Sequence, residues 1–226
     1  GITKTGTYTV SGTEPGAVVE YSTDGTTWTT TTPTAVEGAN TIQVRQTDVA
    51  GNVSAPATLT FTLDTTASLT VSLADVNATN AAAAVLTGTT SGIEAGRTVT
   101  LVVSDGDPAT ADVTVTATVG ADGSYSTTAD VSALSDGTLT VTASVTDAAG
   151  NAASATDTAA LETTIASPSI RLDADTGASA TDSITKIGTY TVSGTEAGAV
   201  VEYSTDGVTW STTAPTAVEG ANTIQV

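Results

Sequence analysis

The stretch from Ile2 to Val44 returns as Ile184 to Val226, shifted by 182 positions. Over those 43 residues only five pairs differ: Thr5/Ile187, Pro15/Ala197, Thr26/Val208, Thr29/Ser211 and Thr32/Ala214. A near-identical copy at that distance marks a duplicated module in a tandem array, and the spacing is too long for one solenoid unit. It fits two small sandwich domains of unlike type that alternate along the chain. A weaker internal repeat divides the interval. Thr47-Asp48-Val49-Ala50-Gly51-Asn52 matches Thr146-Asp147-Ala148-Ala149-Gly150-Asn151, and each leads through a strand to an acid-Thr-Thr ending, Asp64-Thr65-Thr66 and Glu162-Thr163-Thr164. Boundaries just past those endings give domains 1–65, 66–165 and 166–226. The third opens with Ser169-Ile170-Arg171-Leu172-Asp173, a segment with no counterpart in the first, while the first runs on through Arg45 to Asp64 where the third has no equivalent. The reading is therefore a first domain lacking its first strand, a complete second domain, and a third lacking its last strands.

Hydrophobic alternation of period two predicts strands. Tyr8/Val10, Val19/Tyr21, Ile42/Val44 and Leu59/Phe61/Leu63 alternate with polar residues, mostly threonine. In the middle domain the same pattern covers Leu69/Val71/Leu73, Val99/Leu101/Val103, Val113/Val115/Ala117/Val119 and Leu139/Val141/Ala143/Val145. One buried and one wet face per strand is the requirement of an antiparallel sandwich. Asp-Gly pairs at 24–25, 105–106, 122–123, 136–137 and 206–207 punctuate the runs as turns. Trp28 and Trp210 follow such turns and are read as packing against a sheet. The fold class is all-β, tandem sandwich domains in a linear array.

Composition narrows the chemistry. The chain has no Cys and no His, which removes disulfides and the usual zinc, haem and iron–sulfur ligands. Twenty-four acids against five basic residues give a net charge of −19, which repels a phosphate backbone and argues against nucleic acid. No apolar run approaches membrane-spanning length. With 39% hydrophobic residues in regular alternation, the acidity does not signal disorder. It belongs to a solvated surface or to oxygen ligands for a hard cation such as calcium.

The words Thr-Asp-x-Ala-Gly-Asn, Asp-Thr-Thr-Ala and Ser-Gly-Thr-Glu-x-Gly, set in sandwich-sized repeats, resemble the bacterial immunoglobulin-like domains of giant RTX adhesins. Asp173-Ala174-Asp175-Thr176-Gly177, followed by Asp182-Ser183-Ile184-Thr185, strengthens the resemblance, as do Val119 to Tyr125 and Leu134 to Thr138. The resemblance implies an extender role: a non-enzymatic, monomeric spacer of an extracellular, type I-secreted adhesin, whose partners are its neighbouring repeats and calcium ions between them. In an immunoglobulin sandwich the chain enters at the end that carries the B–C and F–G loops. That topology brings Asp64 from the linker together with Glu94 and Asp147, an oxygen set suited to calcium. The same reasoning pairs Glu162 with Glu196, and gives Glu14 and Asp48 to the first domain. Asp173, Asp175 and Asp182 form a separate local candidate in the third, with Asp75, Asn77 and Asn80 its thinner counterpart in the second.

Two rival classes are an enzyme and a binding module. Paired carboxylates can hydrolyse glycosides, but the acids here sit at turns, repeat with the domains, and lack a His base, a Cys nucleophile or a phosphate loop. A glycan- or protein-binding module would need exposed aromatics or an elaborated loop, and Ser104–Asp112 is the one candidate. That stretch reads equally as a hairpin.

Overall fold

The computed structural model describes residues 1–226 and divides into two compact units, Gly1–Thr163 and Thr164–Val226. Both are all-β. The one helical element is a single 3-10 turn at Ala81–Ala83.

Within the first unit, the amino-terminal module has four strands, β1 (Ile2–Thr3), β2 (Val18–Ser22), β3 (Gly38–Thr47) and β4 (Ala57–Leu63), in one sheet of order β1-β4-β3-β2. β3 pairs antiparallel with β2 and β4, with Glu20 opposite Arg45 and Ile42 opposite Leu59. β1 runs parallel to β4. The hydrophobics buried in this module are Ile42 and Leu63. Trp28 lies against the sheet as expected: the Arg45 guanidinium sits 4.1 Å from its ring centroid and pairs with Glu20 at 2.9 Å. The strand expected at Tyr8–Val10 does not form here. The alternating pattern supplies a face but not a partner, and without a neighbour to complete its hydrogen bonds an extended segment is not a strand.

The second module is a full two-layer sandwich. Its strands are β5 (Ser68–Leu69), β6 (Ser72–Leu73), β7 (Val76–Asn77), β8 (Ala84–Ser91), β9 (Thr98–Ser104), β10 (Val113–Thr118), β11 (Ser124–Ala129), β12 (Gly137–Thr146) and β13 (Ala152–Glu162). One sheet has the order β10-β9-β12-β13-β7; the other has β11-β8-β5, with β6 also on β8. Alternation along β12 buries Leu139, Val141, Ala143 and Val145 and exposes the residues between them. These meet Val99, Leu101 and Val103 of β9 and, across the layer, Leu86 of β8 and Tyr125 of β11, in one continuous core. The run Leu69/Val71/Leu73 forms two short strands that pair with β8 in one register, and the chain then crosses to the other sheet as β7, parallel to β13. Asp157 and Asp75 hold that crossing by accepting the N–H groups of Leu73 and Ala160, at 3.0 and 2.8 Å. The stretch after Ser104 joins adjacent antiparallel strands β9 and β10, so it is a hairpin loop.

The second unit has β14 (Ser169–Leu172) and β15 (Tyr190–Ser193), paired antiparallel from Ser169↔Ser193 to Leu172↔Tyr190. β15 has the same sequence as residues 8–11. Given β14 as a partner, it becomes a strand.

Asp24 and Asp206 behave as turn residues. The Oδ1 of Asp24 accepts the N–H groups of Thr26 and Thr27, both at 2.7 Å, and Gly25 adopts φ 75°. Those bonds hold the Asp24 carboxyl well below the usual range, and Asp206 repeats the arrangement. No helix of the chain is long and apolar enough to cross a membrane, which says nothing of strands.

Candidate functional site at the module junction

The Thr-Asp-x-Ala-Gly-Asn word folds the same way twice. Asp147 Oδ1 accepts the N–H groups of Gly150 and Asn151 at 2.7 and 2.8 Å, and the Asn151 side-chain amide returns a bond to Oδ2 at 2.8 Å. Asp48 and Asn52 make the equivalent ring. The aspartate closes a tight loop through side-chain to backbone bonds, which is why the motif needs a short acid four residues before a short amide.

At Asp147 that loop also meets the linker. Asn151 Nδ2 donates to the Asp64 carbonyl at 2.8 Å, so one amide bridges the F–G loop of the second module and the last residue after β4 of the first. Lys4 of the first module donates to the Gly150 carbonyl at 3.1 Å. Glu94, in the B–C loop, accepts the Ala148 N–H at 2.9 Å and lies 3.4 Å from Arg97. Gly92 in the same loop passes so close to the linker that a Cβ would stand 2.4 Å from the Thr66 carbonyl, and its φ of 71° also favours glycine.

The linker is held from its other side too. Glu37, in the turn before β3, accepts both the N–H and the hydroxyl of Thr65, at 3.2 and 2.8 Å. Asp136, before β12, does the same to Thr163, at 2.9 and 2.8 Å. Sequence reasoning missed both. The signal was present: each acid-Thr-Thr ending has an acid a little under thirty residues upstream, at the start of the preceding strand.

The other candidate acids are dispersed. Asp64 Oδ1 accepts the Thr66 N–H at 3.3 Å. Glu14 is exposed, and Glu162 is exposed at the end of β13. Within the second unit, Glu196 Oε1 accepts the Ala166 N–H at 2.7 Å. Asn77 and Asn80 bond locally within their own turn. In the loop between β14 and β15, Asp173 accepts the Thr191 hydroxyl at 2.5 Å, Asp175 Oδ2 accepts the Ser183 N–H at 2.9 Å, and Asp182 accepts the Ile184 N–H at 3.0 Å. Asp175 Oδ1 is buried with no hydrogen-bond partner, and Ser183 is the one residue other than glycine with positive φ, 61°. A buried carboxylate oxygen with nothing to accept carries a desolvation cost. The donor chemistry at the junction and in this loop is all oxygen, as a hard cation requires. No group of three or more carboxylates is gathered as a finished cage.

Asp147 is 3% exposed. Burial pushes its carboxyl up, but the bonds from the Asn151 side chain and from the backbone of Asn151, Gly150 and Ala149 outweigh that and hold it below its ordinary range. A lowered native pKa gives stability that is present above the unfolded value of about 3.9 and lost as pH falls through the native value. Asp147→Asn should therefore melt several degrees below the parent chain at pH 7, with the gap closing near pH 2. Relief of the net negative charge in acid affects both proteins alike, so the difference between their melting curves isolates Asp147. A gap that persisted unchanged in acid would mean the carboxylate charge is not what closes the loop.

A model of the bacterial Ig-like domain matches residues 4–65 and 70–165. No curated protein matches the chain. Among solved structures, a tetra-tandem repeat from the extending region of a large adhesion protein is 28% identical with a TM-score of 0.44, over 70% of this chain and 44% of that one. The chain thus spans less than half of that structure's length. A bacterial immunoglobulin-like domain from the M. primoryensis ice-binding adhesin is 29% identical, TM-score 0.30, over 43% of this chain and 96% of that one. A structure from a 1.5-MDa bacterial ice-binding adhesin is 19% identical, TM-score 0.38, over 68% and 55%.

Proposed function

The chain belongs to the bacterial Ig-like domain family, and from that premise we propose that it is an extender segment of an extracellular adhesin, a spacer whose joints are stiffened by calcium. The observation that carries this reading is the double anchoring of the Asp64-Thr65-Thr66 linker. Glu37 holds Thr65 from the upstream module, while Asn151 holds the Asp64 carbonyl from the downstream one. Modules joined by a free linker move independently by default. A linker fixed on both sides transmits orientation, which is what a spacer needs and a catalytic or recognition module does not.

Calcium deepens the same reading. Asp64 and Asp147 would be the principal ligands at the joint, with Glu94 beside them, and the ion would add to the positive charge that Lys4 and Arg97 bring to this end. In the second unit Asp175 would hold the ion, through the oxygen that has no hydrogen-bond donor, with Asp173 and Asp182. Glu14, Asp48, Glu162 and Glu196 would serve the corresponding ends of their own modules.

Small-angle scattering of the whole chain tests this. The maximum dimension should be longest in millimolar calcium and shrink in chelator, and an Asp64→Ala/Asp147→Ala variant should stay short in both. Equal lengths for the parent chain in the two conditions would remove calcium. A double variant as extended as the parent would remove the joint.

A further inference from the structure

Nothing in the fold of the first module requires a lysine at position 4. β1 ends one residue earlier with its backbone bonds complete: Thr62 N–H donates to the Gly1 carbonyl and Asp64 N–H to the Thr3 carbonyl, both at 2.9 Å. The second module repeats the parallel pairing, with Val76 opposite Leu161 where the first has Thr3 opposite Leu63. Its residue at the place of Lys4 is therefore the neutral Asn77, whose side-chain oxygen accepts the N–H and hydroxyl of Thr79 within its own turn.

Lys4 instead leaves its module. Its Nζ donates to the Gly150 carbonyl, in the F–G loop of the second, at 3.1 Å. The chain has only five basic residues, and Arg45 and Arg97 form ion pairs with acids of their own modules, so abundance does not explain a cation that reaches across. The bond closes a circuit. The Thr3 carbonyl accepts from Asp64, the Asp64 carbonyl accepts from Asn151 Nδ2, Asn151 follows Gly150, and the Gly150 carbonyl accepts from Lys4, which follows Thr3. Through Asp64 alone the modules meet at the linker itself, which leaves them free to turn about it. Lys4 adds a second point of attachment, carried by β1 rather than β4, and two points restrain a rotation that one permits. Its ammonium also brings positive charge to an end that carries Asp64, Glu94 and Asp147.

We propose that Lys4 is a latch that orders the joint between the first and second modules with no metal present, a role separate from that of any ion bound there. The repeat carries the same residue at Lys186, so the lysine is duplicated with its module. A cationic donor makes a stronger bond than a neutral one, while exposure weakens it. At an exposed position such a contact shifts the ratio of closed to open joints by up to about fivefold. That is enough to bias a hinge and too little to hold a fold. Removing the ammonium should therefore loosen the joint and leave both module cores intact.

The chain has no cysteine of its own. Spin labels at Thr32→Cys and Ser126→Cys, one exposed site on each module, thus report the joint of the full chain by pulsed dipolar spectroscopy. In chelator the parent should give a narrower distance distribution than Lys4→Gln, and Lys4→Glu should broaden it further by reversing the charge. Lys4→Arg, which can still donate to the carbonyl, should match the parent. Equal widths for the parent and Lys4→Gln in chelator overturn the latch, and broadening by Lys4→Arg as large as by Lys4→Gln overturns its dependence on a cation. Melting curves supply the second readout: both transitions should stay in place in Lys4→Gln, and loss of either would make the lysine a prop of its own module and overturn the latch equally. The same distances in calcium keep this role apart from the ion's. A parent width that calcium does not change, beside a broadened Lys4→Gln in chelator, would remove the ion and leave the latch standing.

Discussion

Truncating Leu101 to alanine is expected to cost the second module about 2–5 kcal/mol and to leave the first nearly untouched. Leu101 has no exposed surface and stands in β9 between β10 and β12, within the core that both sheets share. Its removal loses the transfer energy of a full side chain and leaves a cavity that two hydrogen-bonded sheets collapse into poorly. The only hydrophobics that the first module buries are Ile42 and Leu63, so its core is thin and its melting comes first. Heating should thus give separate transitions. Leu101→Ala should bring the upper one down by about 8 °C or more, with the lower one in place. Val49→Ala, at a residue 84% exposed, should move neither. If Leu101→Ala shifted both transitions equally, the modules would share one cooperative unit and the thin-core account of the first would fail.

What could be read from the chain follows from what alternation and repetition encode. Period-two hydrophobics located β9, β10 and β12 because each has one face in a real core, so side-chain chemistry and burial coincide. The same pattern at Tyr8–Val10 misled, since strand formation also needs a neighbour and pattern carries no information about pairing. Its copy at Tyr190–Ser193 shows the difference that β14 makes. At the junction, topology brought Asp64, Glu94 and Asp147 to one end of the second module. It could not show that the bridging group is the amide of Asn151, nor that the Asp64 carbonyl takes part rather than its carboxylate alone. Glu37 and Asp136 were missed because their partners are a threonine N–H and hydroxyl, groups that nothing in a linear pattern distinguishes from surface. The Asp-Gly turns at 24–25 and 206–207 were legible because their chemistry is local: acid, N–H donors and a positive-φ glycine lie within four residues.

Calcium is expected to raise the melting temperature further than sodium or magnesium does at the same ionic strength. With dissociation constants of roughly 10⁻⁴ to 10⁻³ M, as for extracellular modules, about 10 mM calcium stabilises each site by roughly 1.4 to 2.7 kcal/mol. A chain of net charge −19 gains some stability from any added salt, since screening relieves repulsion among its carboxylates. The comparison is therefore made at matched ionic strength. Magnesium is the sharper control, because it demands a small octahedral shell and gives up its waters reluctantly, whereas loops with scattered carboxylates and carbonyls suit the larger ion. Two variants separate the sites. Asp175→Asn removes a ligand charge where a buried oxygen has no donor, and should blunt the calcium response of the second unit while leaving that of the first. It should also raise stability slightly in chelator, since an amide is cheaper to bury than an unpaired carboxylate. Asp64→Asn should do the reverse, blunting the response of the first unit alone while Asn151 still reaches the Asp64 carbonyl. A loss of stability for Asp175→Asn in both calcium and chelator would mean that the carboxylate serves the loop through its bond to Ser183. Melting curves that superimpose in calcium, magnesium and chelator would leave the hydrogen bonds of Glu37, Asn151 and Lys4 as the whole of what fixes the joint.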